Sequence, residues 1–163
     1  MEGNKKDFIM SIADISALDK KFDFRNQGLK NIPDIQKHQF IFEVRIGFSV
    51  VKNEPYINLL NSISIFLDKE KTNLFGHFEL GIRFLVENIE DYVKNERIFI
   101  PEPAIYTMVT TAIGTARGVL YVELKVSPIP NLFLPFIEIK PIVDNILSTS
   151  KDGLPLVDSL SSE

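Results

Sequence analysis

Between Gln39 and Val51 the chain alternates in polarity: Phe40, Phe42, Val44, Ile46, Phe48 and Val50 are separated by Gln39, Ile41, Glu43, Arg45, Gly47 and Ser49. Only an extended strand sends successive side chains to opposite faces; a helix would scatter both sets around its axis. Lys52-Asn53-Glu54-Pro55 reads as a turn. The pattern resumes from Tyr56 to Asp68, with Ile57, Leu59, Ile63, Ile65 and Leu67 on one side and Asn58, Ser62, Ser64 and Asp68 on the other. After the polar loop 69–73 it returns once more, as Leu74, Phe78, Leu80, Ile82, Phe84 and Val86 against His77, Glu79, Gly81, Arg83 and Glu87. Three long strands joined by short polar turns predict an antiparallel meander. The apolar piece from Phe8 to Ser16 supplies a fourth strand, and Asp19 to Lys37, punctuated by Gly28 and Pro33, is expected to be an irregular connection.

Beyond Asn88 the period changes. Pro101 and Pro103 suit the first turn of a helix, where a missing N–H costs nothing. Ile105, Met108, Ala112, Ala116 and Val119 then recur at three- and four-residue spacing. Pro128, Pro130 and Pro135 mark an extended hydrophobic passage through Leu132-Phe133-Leu134-Pro135-Phe136-Ile137, and a short helix is expected from Pro141 to Leu147. The expected fold is α+β: a four-stranded antiparallel meander with one long helix and a short C-terminal helix on one face. The chain's 163 residues fit one domain. That domain is placed at residues 1–147, with 148–163 a frayed tail.

Strands of about 13 residues extend roughly 43 Å, whereas a helix of about 17 residues covers only about 25 Å. One helix cannot roof four such strands, so a partner is expected, and a second copy is the simplest one. Ala112, Gly114, Ala116 and Gly118 would let another backbone approach. The expected oligomer contact is therefore Ile105, Met108, Ala112, Ala116 and Val119. On the opposite, polar face of the sheet, Ile41, Tyr56, Leu60, Phe66, Phe75 and Leu85 interrupt the charged and hydroxyl side chains. Together with Phe133, Phe136 and Ile137 they are expected to line a groove that takes apolar segments.

The rest of the sequence argues by exclusion. It has no cysteine, which removes disulfides and thiol chemistry and suits a reducing compartment such as the cytoplasm. A net charge of −4 argues against broad nucleic-acid binding. The run Phe8 to Ala13 is cut short by Asp14, and nowhere does an apolar stretch reach the roughly 18–20 residues of a membrane span. Phosphate-loop and dinucleotide fingerprints are missing, and the only histidines, His38 and His77, lack metal-ligand spacing. Glu43 and Glu79 share a face, but with one strand between them they should lie about 10 Å apart, with Arg45 and Arg83 offering ion pairs instead. No enzyme, metal or cofactor is expected.

The whole arrangement resembles the SecB family of export chaperones. Asp14-Ile15-Ser16 is similar to the end of that family's first strand, and Phe75-Gly76-His77-Phe78-Glu79 with Ile82-Arg83-Phe84 to its fourth. Pro103-Ala104-Ile105 through Arg117-Gly118 resembles the long helix, and Leu132-Phe133-Leu134-Pro135 the passage into the last one. The resemblance spans Phe8 to Leu147, although the family's Phe-Pro after Arg-Gly is absent and its acidic tail is replaced. It implies an ATP-independent holdase for unfolded polypeptides, a dimer of dimers with long helices sandwiched between two sheets. It also implies docking of the SecA motor on the sheet's outer face, where Asp14 and Glu79 match two acidic positions. Leu18 stands where another acid is expected, and His77 where a leucine is. A relative dedicated to one client, such as an antitoxin, is a variant of this reading. From the residues alone, a small-ligand or lipid-binding domain and an adaptor with one folded partner also stay open.

Overall fold

The alternating segments are strands in the computed structural model, which describes residues 7–35, 38–125, 127, 129 and 132–158. They are β1 (Met10–Phe22), β2 (Ile41–Val51), β3 (Tyr56–Phe66) and β4 (Leu74–Val86). A one-turn helix, α1 (Gln27–Lys30), follows β1. After β4 come a 3-10 turn (Ile89–Tyr92), the small hairpin β5 (Val93–Lys94) and β6 (Arg97–Ile98), helices α2 (Glu102–Lys125) and α3 (Ile139–Thr149), and a last strand, β7 (Leu154–Val157).

The meander β2–β3–β4 forms in the expected antiparallel register, and β1 joins it on the far side of β4. The sheet is not four-stranded, however. Its order is β1-β4-β3-β2-β7-β6-β5, with β7 parallel to the end of β2. Three strands of two to four residues, one containing Pro155, are too short to show a period. The tail is corrected with them: α3 runs on to Thr149 and β7 is paired on both edges, so 148–158 belongs to the fold. Residues 159–163, Pro128 and Pro130 lie outside the described residues. Asp19 to Phe22, expected to be irregular, continues β1. Register shifts between Ile12 and Asp14 and between Ala17 and Asp19 each insert one residue, which breaks strict alternation and hides the strand.

Helix α2 lies across β3 and β4 on the apolar face. Ile57, Leu59, Ile63, Phe78, Leu80 and Ile82 are buried against Ile105, Met108, Val109, Ala112, Ile113, Ala116 and Leu120. Each such Ile or Leu contributes about 1.5–3 kcal/mol. The Asn61 side-chain amide, fully buried among them, donates to the Ala112 carbonyl at 3.2 Å. Helix α3 packs beside α2 through Val143 and Ile146.

Candidate functional site

Residues paired in register share a face, so the ladders lay out the outer face as ranks across the strands. At one end stand Ile41, Phe66 and Leu74. The next two ranks are charged: Glu43, Ser64, His77 and Lys21, then Arg45, Ser62, Glu79 and Asp19. The fourth holds Gly47, Leu60, Gly81 and Ser16, the fifth Ser49, Asn58, Arg83 and Asp14, and Tyr56, Leu85 and Ser11 close the far end.

Most of the charged groups pair with near neighbours. Arg45 meets Glu43 at 3.0 Å, Lys21 meets Asp19 at 3.0 Å, and His77 meets Glu79 at 3.2 Å. The Arg45 guanidinium, with Lys71 further off, holds the Glu43 carboxyl below its ordinary value, and Lys21 does the same for Asp19. Arg83 donates to the Asn58 side chain at 3.1 Å and lies over the Tyr56 ring. Asp14 accepts from the Ser16 hydroxyl at 2.7 Å. Among the described residues no three metal-ligating side chains converge.

Two apolar ends and a central apolar patch thus flank polar ranks. At the centre, Leu60 stands between two glycines, and a cavity of about 590 Å3 opens there against Asp14, Leu18, Asn58 and Arg83. Leu18, 59% exposed, leans over Gly81 from the second bulge of β1. Phe75 is corrected. The shift between Ile65 and Phe66 leaves it unpaired, and it turns inward to 1% exposure beside Phe22, Phe24 and Phe40. Leu74 takes the outward place.

Phe133, Phe136 and Ile137 do not join this patch. Arg117 of α2 donates to the carbonyls of Leu134 and Pro135, which holds the passage in the helical layer. Leu132 and Leu134 are buried there while Phe133 and Phe136 point out, the latter 86% exposed. The expected single groove is therefore two surfaces on opposite sides of the sheet. The helix contact is corrected too: Ile105, Met108, Ala112 and Ala116 are buried under the protomer's own sheet, and Val119 is half-buried. The open side of α2 carries Gly114, Gly118, Tyr121 and Val122 instead.

Alternation alone missed the uncovered rim of the apolar face. Ile12 and Ile15 pair with Phe84 and Ile82, so they share the face that α2 covers. They are nevertheless 49% and 44% exposed, because the helix stops short of β1. Lys20 reaches Glu123 at 2.7 Å and ties only the end of β1 to α2. On the other flank Phe42, Val44, Ile46 and Phe48 of β2 are only half-buried. The signal was obscured because the first bulge turns the period of two into a spacing of three between Ile12 and Ile15.

A bulged edge strand, a three-strand meander and one long helix crossing its middle, followed by a proline-bearing passage strapped to that helix, make a recognisable scaffold. It overlays the SecB-like chaperone Rv1957 of Mycobacterium tuberculosis, solved with a ChAD peptide from the HigA1 antitoxin. The TM-score is 0.52 at 14% identity, over 79% of this chain and 88% of that one. The fold is SecB-like. A Streptococcus agalactiae protein of unknown function aligns at TM-score 0.48 and 11% identity, over 80% of this chain and 100% of that one. No protein-family model and no curated protein matches the sequence. In this SecB-like fold Asp14 and Glu79 share the outer face, with Leu18 leaning between them over Gly81 and His77 one rank beyond Glu79. Among the described residues no helix is long and apolar enough to cross a membrane.

Proposed function

We propose that this protein is a non-enzymatic holdase that binds extended, apolar stretches of unfolded polypeptide without nucleotide, in the cytoplasm. One observation carries the reading: the apolar face of the sheet is wider than the helical layer that covers it. Ile12 and Ile15 are left open at one rim, Tyr121 and Val122 are exposed on α2, and Phe133 and Phe136 project from the strapped passage. Exposed apolar surface on this scale marks an interaction site. Aromatic side chains add area without demanding a particular sequence. That the neighbour of like fold was solved with an antitoxin peptide is consistent with polypeptide as the ligand class.

A tetramer built as a dimer of dimers belongs to the same reading, with the Gly114–Gly118 side of α2 as the contact. The outer patch around Leu60, with Ile41, Tyr56, Phe66 and Leu85, is the second client surface. Sedimentation with and without an unfolded, non-aggregating polypeptide tests the proposal. A tetramer that gains mass with the polypeptide, and needs no nucleotide, is expected. A monomer indifferent to unfolded chains would refute it and favour a ligand-binding domain.

A reading as a chaperone dedicated to one partner, of the antitoxin kind, draws on the outer face. There Leu18 and His77 replace the acid and the leucine expected for SecA docking, and Asp14 and Glu79 alone match. Affinity for one protein's segment far above that for generic unfolded chains would select it, and measurable binding to SecA would argue against it.

A further inference from the structure

The C-terminal strand occupies part of an edge that is otherwise open. β2 has eleven residues, and β7 pairs with two of them, Val50 and Val51, leaving Ile41 to Ser49 without a strand on the edge away from β3 among the described residues. Along that stretch β2 faces a crevice of about 330 Å3 against Pro141, Ile142 and Asn145 of α3. The edge therefore accepts a strand already, and β7 is that strand at its far end.

Several features show how lightly β7 is held. It shares only two paired positions with β2 and two with β6. Its flanking backbone bonds run from Leu156 N–H to the Glu96 carbonyl at 3.0 Å and from Lys52 N–H to the Val157 carbonyl at 2.8 Å. A cavity of about 460 Å3, lined by Val50, Ile89, Val93 and Leu156, opens along this seam. The β5–β6 turn carries two consecutive non-glycine residues at positive φ, Asn95 at 50° and Glu96 at 58°. Glycine is the favoured residue at the second such position. Glu96 there reaches Lys52 at 2.5 Å, bridging the hairpin to the end of β2.

We propose that β7 is a displaceable self-strand that competes with client segments for the edge of β2. Docked, it stops an incoming strand at Ser49. Released, it lengthens the free edge to Val51 and bares Val50, Val51 and Ile98. The inference rests on the holdase reading above and adds its regulation. Client affinity is then lowered by whatever fraction of molecules has β7 docked.

The chain has no cysteine, so a lock can be engineered without interference. In the full-length double variant Val51→Cys/Val157→Cys, the two positions face each other in register. Oxidised and reduced forms of the same preparation would be titrated with an unfolded, non-aggregating polypeptide. Leu156→Asp, which loosens β7, would be titrated alongside. The reduced form is expected to bind about fivefold more tightly than the oxidised one, and Leu156→Asp more tightly than wild type. Hydrogen exchange at the Leu156 amide should accelerate when client is added to the wild type. Clients bound equally by all forms, with that amide unchanged, would overturn the proposal and leave the holdase reading standing. Failure of every form to bind client would overturn both.

Discussion

Asn61 is the one buried polar side chain among the described residues, and only half of its amide is satisfied. Its nitrogen donates to Ala112, while Oδ1 is buried without a partner. An orphaned buried acceptor costs about 1–3 kcal/mol, and the Ala112 carbonyl needs no side chain to complete its helical bond. Asn61→Leu should therefore leave stability unchanged or raise it by about 1 kcal/mol, read as a higher urea midpoint at constant slope. Asp68 acts in the opposite sense. Its carboxylate accepts from the Thr72 hydroxyl and from the backbone N–H groups of Thr72 and Asn73, closing the β3–β4 loop. The Thr72 hydroxyl is the main cause holding that carboxyl below its ordinary value. With the folded value below the unfolded one, the stabilisation is complete above the unfolded pKa and is lost as pH falls through the folded pKa. Asp68→Ala should flatten that acid limb of the stability curve and leave its neutral-to-alkaline side parallel to wild type, as followed by urea melts from pH 2 to 8.

At the scale of elements, α2 settles a question that spacing left open. Its three-and-four pattern correctly predicts a helix with one apolar stripe, but cannot say whether that stripe meets its own sheet or another copy. In the protomer it meets the sheet, and a Cβ added at Gly114 or Gly118 would touch nothing within 4 Å. In an isolated protomer, Gly→Ala at either place should stabilise the helix by about 0.5–1 kcal/mol. Across a close helix contact it should do the reverse to assembly. Gly118→Leu is thus expected to lower the sedimenting mass while thermal stability of the dissociated chain holds or rises. A rise in stability with no change in mass would exclude this side of α2 as the contact. The bulges of β1 show the same division. The apolar piece from Phe8 to Ser16 reads as a short strand, yet the ladder continues to Phe22 because the bulges absorb the extra residues.

For the molecule as a whole, the balance between sheet width and helix cover decides what is left to bind. Phe136 contributes almost nothing to the protomer's core, so Phe136→Ser should change stability by less than about 0.5 kcal/mol. Client affinity, measured by fluorescence anisotropy with a labelled unfolded chain, should fall several-fold. Loss of stability with unchanged affinity would place Phe136 in an assembly or folding role instead.

The sequence by itself determined the meander, the helix after Pro101 and Pro103, and the lack of full cover over the sheet. Those follow from local periods and from element lengths, which depend on near neighbours in the chain. Tertiary structure decided which face Phe75 takes, that Phe133 and Phe136 lie across the sheet from Leu60, and that the C-terminal residues return to pair with β2. These depend on one-residue register shifts and on pairings between positions about a hundred residues apart. A single inserted residue reverses a side chain's face without changing composition, and two pairs of strand residues are too few to leave a period.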